Sequence, residues 1–528
     1  MFQLKIELKR VQTFIFEVPR LKAMLGANAL IGETMRHTLP GLVAGQGLAL
    51  QWPAGLVHRY PGDPLNGTAD PDDPAVLYAN GILARDGGHF IAAFANDAMA
   101  REFLREVEPV LAERLPGVLY EASVGPFPAP QDRERQVIGP RETALLDLPV
   151  LQVCQETGTA PASDQEKDHW QARSVTHRQA WGDRFYSGET KDIIGLLRPV
   201  LYPDKEQGWR EPDDLAQLTA GDYLALIHAD GNGIGKRYNA WKAKASGLDD
   251  LGKEAHGEAF FHSMRVAVRR AVVDALAATF PKPTEPRRPR APRPYEILML
   301  GGDDLLLICR ADRALAFADC YAAELARHPL ADGSPLHVAI GVAIAQQTYP
   351  LHRLHELAEG LASSAKRLYR AQDEPDKTSV IDWQVVTQSW FEGIAEARRL
   401  GERVVYTVAG KTETLLLSRR PYPITGETGL RGLLAAAERL KDLGPGKDQG
   451  AEQAARSPLR SLRGACERGR LLGEMVFKRL PPEVQKTLGG AGGELWRALG
   501  DADQSLYATR ALDIVGLFEI ARLGSKKP

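Results

Sequence analysis

Short apolar runs alternating with helix-periodic segments argue that this chain folds as α+β, with helices packed on one face of an antiparallel-rich sheet. Three observations carry that expectation. Two strand-like runs, Tyr295-Glu-Ile-Leu-Met-Leu and Leu305-Leu-Leu-Ile-Cys309, flank a Gly301-Gly302-Asp303-Asp304 tip and read as a hairpin. Upstream, Tyr223-Leu-Ala-Leu-Ile-His-Ala-Asp230 is a third apolar run, closed by an aspartate and followed by a glycine-rich loop. Downstream of the tip, helical and strand-like segments keep alternating.

Taken along the chain, Gly81–Phe94 reads as a first hairpin with the tip Asp86-Gly87-Gly88-His89. A helix (Ala98–Arg114) and a strand (Val118–Val124) follow it. In the middle of the chain, a helix opens over Arg237–Lys244 after the strand that ends at Asp230. The 295–309 hairpin, a helix (Ala311–His328), a strand (Leu336–Ala345), a helix (Leu354–Tyr369) and a short strand (Ser379–Trp383) come next. The second series repeats the order of the first, which reads as a diverged internal duplication. Beyond Trp383 the pattern is mostly helical, over Leu430–Leu443, Leu459–Phe477 and Ala508–Leu523, with glycine-rich connectors at Gly444–Gly450 and Gly489–Gly493.

The chemistry sits at the strand ends. Magnesium bound to a nucleotide takes one or two protein carboxylates and completes its shell with phosphate oxygens and water. Asp230, Asp303 and Asp304 provide such ligands if their strands pair, and they are the expected catalytic and metal-binding residues for two Mg2+ or Mn2+ ions. The loop Gly231-Asn232-Gly233-Ile234-Gly235-Lys236 would present backbone N–H groups and an ammonium to a triphosphate. Gly301 and Gly302 permit a tight turn and close approach of a phosphate-bearing ligand. A Gly-Gly-Asp tip alone is also an ordinary turn. The second aspartate-ended strand is what separates the two readings.

Residues 220–385 resemble the palm of nucleotide cyclases and GGDEF-type enzymes, and specifically the large signature subunit of type III CRISPR effector complexes. The resemblance lies in the GGDD tip at Gly301–Asp304, the strand-end Asp230, the Gly341-Val-Ala-Ile344 strand and the helix ending in Ala365-Lys366. At the N-terminus, Val11-Gln12-Thr13-Phe14-Ile15 is similar to the family's opening motif, with Arg10 in place of its usual proline. The resemblance implies two ferredoxin-like, nucleotide-cyclase palm domains, the first degenerate and the second carrying GGDD. The implied organisation is a palm at 1–145, a linker and helical region at 146–218, the catalytic palm at 219–386 and a helical C-terminal domain at 387–528. It also implies ATP as substrate, cyclic oligoadenylates as product and Lys366 as a phosphate contact. The partners it implies are guide and target RNA and other effector subunits, with a small subunit near the C-terminal helical domain.

Departures from the family pattern matter too. Leu148–Ala162 resembles the zinc knuckle of many relatives, but only Cys154 occupies a ligand place, with His169 and His177 distant. A structural zinc needs four thiolate or imidazole ligands, so zinc is not expected and a remnant loop packed by Leu151 and Val153 is. Larger relatives carry a nuclease domain with an adjacent His-Asp pair. No His-Asp dipeptide occurs in this sequence, so DNA cleavage is not expected.

Composition bounds the rest. At 528 residues, three or four domains of about 150 residues fit. A net charge of −2 provides no global basic field, so RNA contact would have to be local or depend on partner subunits. Pro281–Pro294 is a proline-rich basic insertion that reads as a solvated loop, with contact to RNA or a partner as the alternative. Four cysteines without a Cys-x-x-Cys pair argue for a reducing cytoplasm, and neither a signal peptide nor a membrane-spanning run is expected. Rival functions stay open. A diguanylate cyclase typically has Gly-Gly-Asp/Glu-Glu-Phe where this chain has Asp303-Asp304-Leu305, and an inhibitory Arg-x-x-Asp where Pro292 and Tyr295 stand. A templated polymerase would need large fingers beside the palm, and a catalytically silent scaffold would not need all three aspartates.

Overall fold

The structure is a computed structural model describing residues 1–128, 136–138, 152–158, 160–166, 168–201, 209–282, 290–373, 377–386, 394–408, 410–443, 449–490, 492–499 and 505–525. Its two largest sheets share one strand order. In the first, Ile82–Ala84, His89–Phe94, Phe2–Lys9, Leu119–Pro126 and Gln136–Ile138 lie side by side, every neighbour antiparallel. In the second the order is Tyr295–Gly301, Asp304–Arg310, Tyr223–Gly231, Val338–Gln346, Val380–Val385 and Tyr422–Pro423. Each sheet thus sets its earliest strand between the inner arm of a hairpin and a later strand. The expected α+β class and the repeated order of elements are both present. The last helix-linked strand, Val380–Val385, runs parallel to Val338–Gln346, as a crossover through the helix Leu351–Ala371 requires.

The expectation of helices on one face needs correction. Along Tyr223–Gly231 and Asp304–Arg310, consecutive residues such as Ala225, Leu226 and Ile227, or Leu305 to Cys309, are fully buried. Side chains alternate between faces, so both faces are covered. The helix Leu351–Ala371 lies against one of them. It comes so close at Gly341 that a Cβ there would sit 2.0 Å from the Ala358 carbonyl oxygen. The helix pair Asp250–Thr279 and Ala314–Arg327 packs together, and the second of these touches the strands Tyr223–Gly231 and Val338–Gln346.

The region at 146–218 is less of a linker than its polar composition suggests. Its helix Arg173–Ser187 crosses Leu21–Glu33 with backbones nearly touching: a Cβ on Gly26 would meet the Arg178 carbonyl oxygen at 1.9 Å, and one on Gly182 the Lys22 carbonyl oxygen at 2.3 Å. Cys154 is buried in a small cluster with Val18, Ala23, Ala172 and Val175. Burial works against its thiolate, yet hydrogen bonds from Thr157 and from backbone N–H groups hold its pKa below the usual thiol range. His169 is engaged with Glu156 at 3.0 Å. Leu151, expected to pack this loop, and the 145–146 boundary lie outside the described residues.

Residues 387–528 were expected to be helical, and Leu430–Asp442, Gln449–Arg468, Arg470–Phe477 and Ala511–Ala521 are helices. They share the region with a four-stranded sheet in the order Arg403–Val408, Lys411–Leu416, Leu506–Ala508, Arg497–Ala498. Two of its strands are only two and three residues long and Lys411–Leu416 opens on polar residues, although Arg403–Val408, with Val404, Val405, Tyr406 and Val408, carried a strand signal that the helical reading passed over. The single helix expected over 459–477 is divided at Gly469, whose φ of 140° leaves the helical region. Within the basic insertion, residues 283–289 lie outside the described set. Arg293, expected in a solvated loop, is instead buried and paired with Glu296 and with Glu211 at 2.6 Å. Among the described residues no helix is long and apolar enough to cross a membrane.

A buried cluster of charges ties the first hairpin to the long helix Asp250–Thr279. Asp72, fully buried, accepts from Arg269 Nη1 at 2.8 Å and Arg265 Nε at 3.1 Å, with Arg36 Nη2 at 3.4 Å. Asp86, at the first hairpin tip, lies 2.9 Å from Arg36 Nη1 and 3.1 Å from Arg265 Nε. Asp63 takes Arg269 Nη2 at 2.7 Å, and Asp70 binds Arg36 Nε at 3.0 Å and Arg85. Burial alone would raise the Asp72 pKa, but Arg265, Arg36 and Arg269 outweigh it and keep the carboxyl well below the usual range. Removing one member of such a cluster leaves uncompensated buried charge. Asp72→Ala is therefore expected to lower unfolding free energy by about 3–5 kcal/mol in denaturant titration. Arg353→Ala, which breaks only the exposed pair with Glu356, should cost under about 1 kcal/mol. Equal effects of the two would contradict a structural role for the cluster.

Candidate functional site

Strand register builds the site. Leu305 lies opposite Ala229 and Leu306 opposite His228, which sets Asp304 beside Asp230 at the ends of adjacent strands and on the same face. Gly301 pairs with Asp304 across a turn in which Gly302 has φ 61°, a conformation glycine adopts without strain. The turn leaves Asp303 pointing back over the central strand. Space for it exists because residue 231 is glycine: a Cβ there would lie 2.5 Å from Asp303 Oδ2. One carboxylate oxygen from each of Asp230, Asp303 and Asp304 lies within 4.8 Å of the other two.

One ammonium meets this group. Ala365 packs on Ala339, the residue opposite Asp230 in the sheet, so the next side chain on that helix, Lys366, reaches the strand end and pairs with Asp230. The close approach at Gly341 fixes how near the helix can bring it. One lysine does not neutralise three acids. Burial raises the Asp303 pKa, and the Asp230 charge adds to it. Burial, then Asp303 and Asp230, push Asp304 up to about 8. Hard oxygen donors that repel one another at this spacing suit a divalent cation, which relieves the repulsion. The donor set therefore fits Mg2+ or Mn2+ held by these three residues.

The glycine-rich loop lies beside them. Asn232 donates its backbone N–H to the His337 carbonyl at 2.8 Å, and Gly233, at φ 71°, starts the helix Ile234–Ala243, whose first turn has no side-chain cap. Uncapped N–H groups of a helix N-terminus attract anions. Arg237 anchors this helix through Asp332, at 2.7 and 2.8 Å. Gly235 and Lys236 are exposed on its first turn. Asn232 was expected as an open loop ligand but is 3% exposed, its Nδ2 without a partner among the described residues. A Cβ on Gly301 would meet nothing within 4 Å, so close packing does not require glycine there. Sequence reading missed Gly231 as the space for Asp303, Gly341 as the helix-docking point, and Glu359, whose charge adds to the raised pKa of Asp304. An isolated glycine inside an apolar strand was the available signal for Gly341. A second group, Asp274, Glu324 and His328, lies elsewhere, between two helices, with Glu324 paired to Arg327 at 2.6 Å.

Fold and site together define an α+β chain with two like-ordered sheets and a strand-end carboxylate centre. No family model and no curated protein matches the chain. Its structural neighbours among solved structures include Csm1-Csm4 cassettes. The cassette in complex with AMPPNP is 12% identical, with a TM-score of 0.48, over 99% of this chain and 70% of that one. The apo cassette is 13% identical with a TM-score of 0.41, and the subcomplex in the type III-A CRISPR-Csm interference complex is 12% identical with a TM-score of 0.41; each match covers 99% of this chain and 70% of the other. A further cassette is in complex with cA4.

Two expected outcomes follow from the geometry. Gly231→Ala should displace the Asp303 carboxylate and weaken Mn2+ binding by about tenfold or more, on the scale where 1.4 kcal/mol is tenfold, as read by calorimetry. Because Asp304 keeps its proton below about pH 8, that proton competes with the cation. Mn2+ affinity should then rise with pH up to about 8 and flatten above it. Calorimetry in buffers of different ionisation heat should detect proton release near neutrality; a pH-independent affinity with no proton release would contradict the clustered geometry.

Proposed function

We propose that the chain is a metal-dependent nucleotidyltransferase that makes cyclic oligoadenylates from ATP, acting in type III CRISPR-like antiviral defence and activated by target RNA within an effector complex. The observation that carries this reading is the convergence of Asp230, Asp303 and Asp304 beside an uncapped helix N-terminus. The choice of ATP and of the defence setting rests on the sequence resemblance of Asp230, Gly301–Asp304 and Ala365-Lys366 to that family.

Two divalent ions, when bound, would supply charge neutralisation at the triphosphate and lower the pKa of an attacking 3′-hydroxyl. The residues do the rest. Asp230, Asp303 and Asp304 hold and space the ions, and the turn at Gly302 with the gap at Gly231 sets where Asp303 stands. The N–H groups after Gly233, with Lys236, orient phosphate oxygens, and Arg237 with Asp332 keeps that helix end rigid. Phosphoryl transfer of this kind relies on positioning and charge stabilisation, so no histidine base is required. His228, the buried histidine two residues from Asp230, is held neutral by burial. Partner subunits and a guide RNA would hold the target RNA that activates the chain, with a small subunit at residues 387–528.

Incubating the purified chain with each nucleoside triphosphate and Mg2+, with and without RNA, and sizing products by mass spectrometry tests the proposal. Cyclic oligoadenylates from ATP alone are expected. Asp303→Ala combined with Asp304→Ala should abolish pyrophosphate release, a loss of several kcal/mol of transition-state stabilisation at about 1.4 per tenfold. Full activity of that double variant would reject the site. Products from GTP instead would favour a diguanylate cyclase.

A further inference from the structure

We infer that Lys366 is a resident counter-cation of Asp230, which a divalent ion must displace, and that this exchange couples ion binding to triphosphate binding. The inference rests on the metal-site reading above and goes beyond it by assigning a regulatory role to one residue.

The argument starts from placement. Three carboxylates share the centre, and the Lys366 ammonium pairs with one of them, Asp230. An ion coordinated by all three acids needs the oxygen density of Asp230 that Lys366 now engages. The two cations therefore compete for one carboxylate, and the free energy of the lysine pair is subtracted from the apparent affinity of the ion.

Mobility decides whether the exchange is feasible. The helix backbone already touches the strand at Gly341, where a Cβ would meet the Ala358 oxygen and Ala362 nitrogen at 2.0 and 2.5 Å, so the exchange falls to the side chain. The side chain is free to move. It is 27% exposed, and among the described residues its one hydrogen bond is to Asp230. Lysine carries a point charge on a flexible four-carbon stem and makes no fixed fork with a carboxylate. Swinging away from Asp230, the ammonium remains beside the loop that starts at Gly231. On the next turn of the same helix, the Tyr369 hydroxyl already stands 3.7 Å from where a Cβ of Gly233 would be. That is where the uncapped helix N-terminus would draw a phosphate.

Two consequences follow by linkage. An ion arriving at Asp230 frees Lys366 for a phosphate oxygen. A triphosphate that draws Lys366 away frees Asp230 for the ion. Each ligand then raises the affinity of the other by the same factor. Without a nucleotide the centre would bind divalent ions weakly, despite its three acids.

The test is Mn2+ binding to the full chain, followed by calorimetry without nucleotide and again with a non-hydrolysable ATP analogue. Lys366→Met keeps the length and apolar stem of the side chain and removes the charge. It should bind Mn2+ more tightly than the unaltered chain by about fivefold or more, within the usual range of site–site coupling, and the nucleotide should enhance its Mn2+ affinity less. Lys366→Arg restores a cation and should return Mn2+ affinity towards the original value, which a purely structural role of Lys366 would not produce. Equal or weaker Mn2+ binding by Lys366→Met overturns the inference while leaving the metal site intact. Failure of the unaltered chain to bind Mn2+, with or without nucleotide, removes the metal-site reading itself and the inference with it.

Discussion

The pairing register between Tyr223–Gly231 and Asp304–Arg310 is the constraint on which the site depends. Leu305 opposite Ala229 brings two aspartates from distant parts of the chain to adjacent strand ends. A slip of one residue would turn one of them to the opposite face, since side-chain direction alternates along a strand. The register is strongly specified because both faces of these strands are buried in apolar contacts. The crowding of the acids, which after burial adds to the raised pKa of Asp304, is thus imposed by core packing that the acids themselves do not join. This is how a folded chain holds like charges together: hydrophobic burial elsewhere stabilises a local arrangement that would otherwise come apart.

The first sheet shows the same topology with different end chemistry. Glu7 stands opposite His89 there, in the place that Asp230 and Asp304 take in the second sheet. Lys9 and Lys5 approach Glu7 at 2.5 and 3.2 Å, and Lys9 also reaches Glu121 at 3.2 Å. Burial opposes ionisation of Glu7, but the two lysines hold its carboxyl down at about 2. Acid beside base leaves little demand for a cation, whereas acid beside acid creates one. Two sheets of like order therefore differ in what their strand ends can bind, through a handful of side chains. The tip of the first hairpin is engaged instead in the arginine cluster, which anchors it to the helix Asp250–Thr279. Trp241, from the helix after the glycine-rich loop, stacks on His256 of that long helix at 4.2 Å, so the cluster and the loop share one support.

The local pieces could be read from residue order. Apolar runs of strand length, a glycine-aspartate tip and an aspartate-ended strand were legible because each is a short-range pattern set by side-chain period and turn chemistry. The duplicated order and the strand-end positions of Asp230, Asp303 and Asp304 were legible for the same reason, whereas Lys366 was singled out through the family resemblance. Packing settled whatever depends on surfaces meeting. It decided that both sheet faces are covered, that a further sheet lies among the C-terminal helices, and that Gly26, Gly182 and Gly341 are contact points between backbones. It also decided that Gly231 is the space Asp303 occupies and that Asn232 is buried. Period and propensity describe one element at a time; which residue loses its Cβ space, or its water, is settled only when two elements pack.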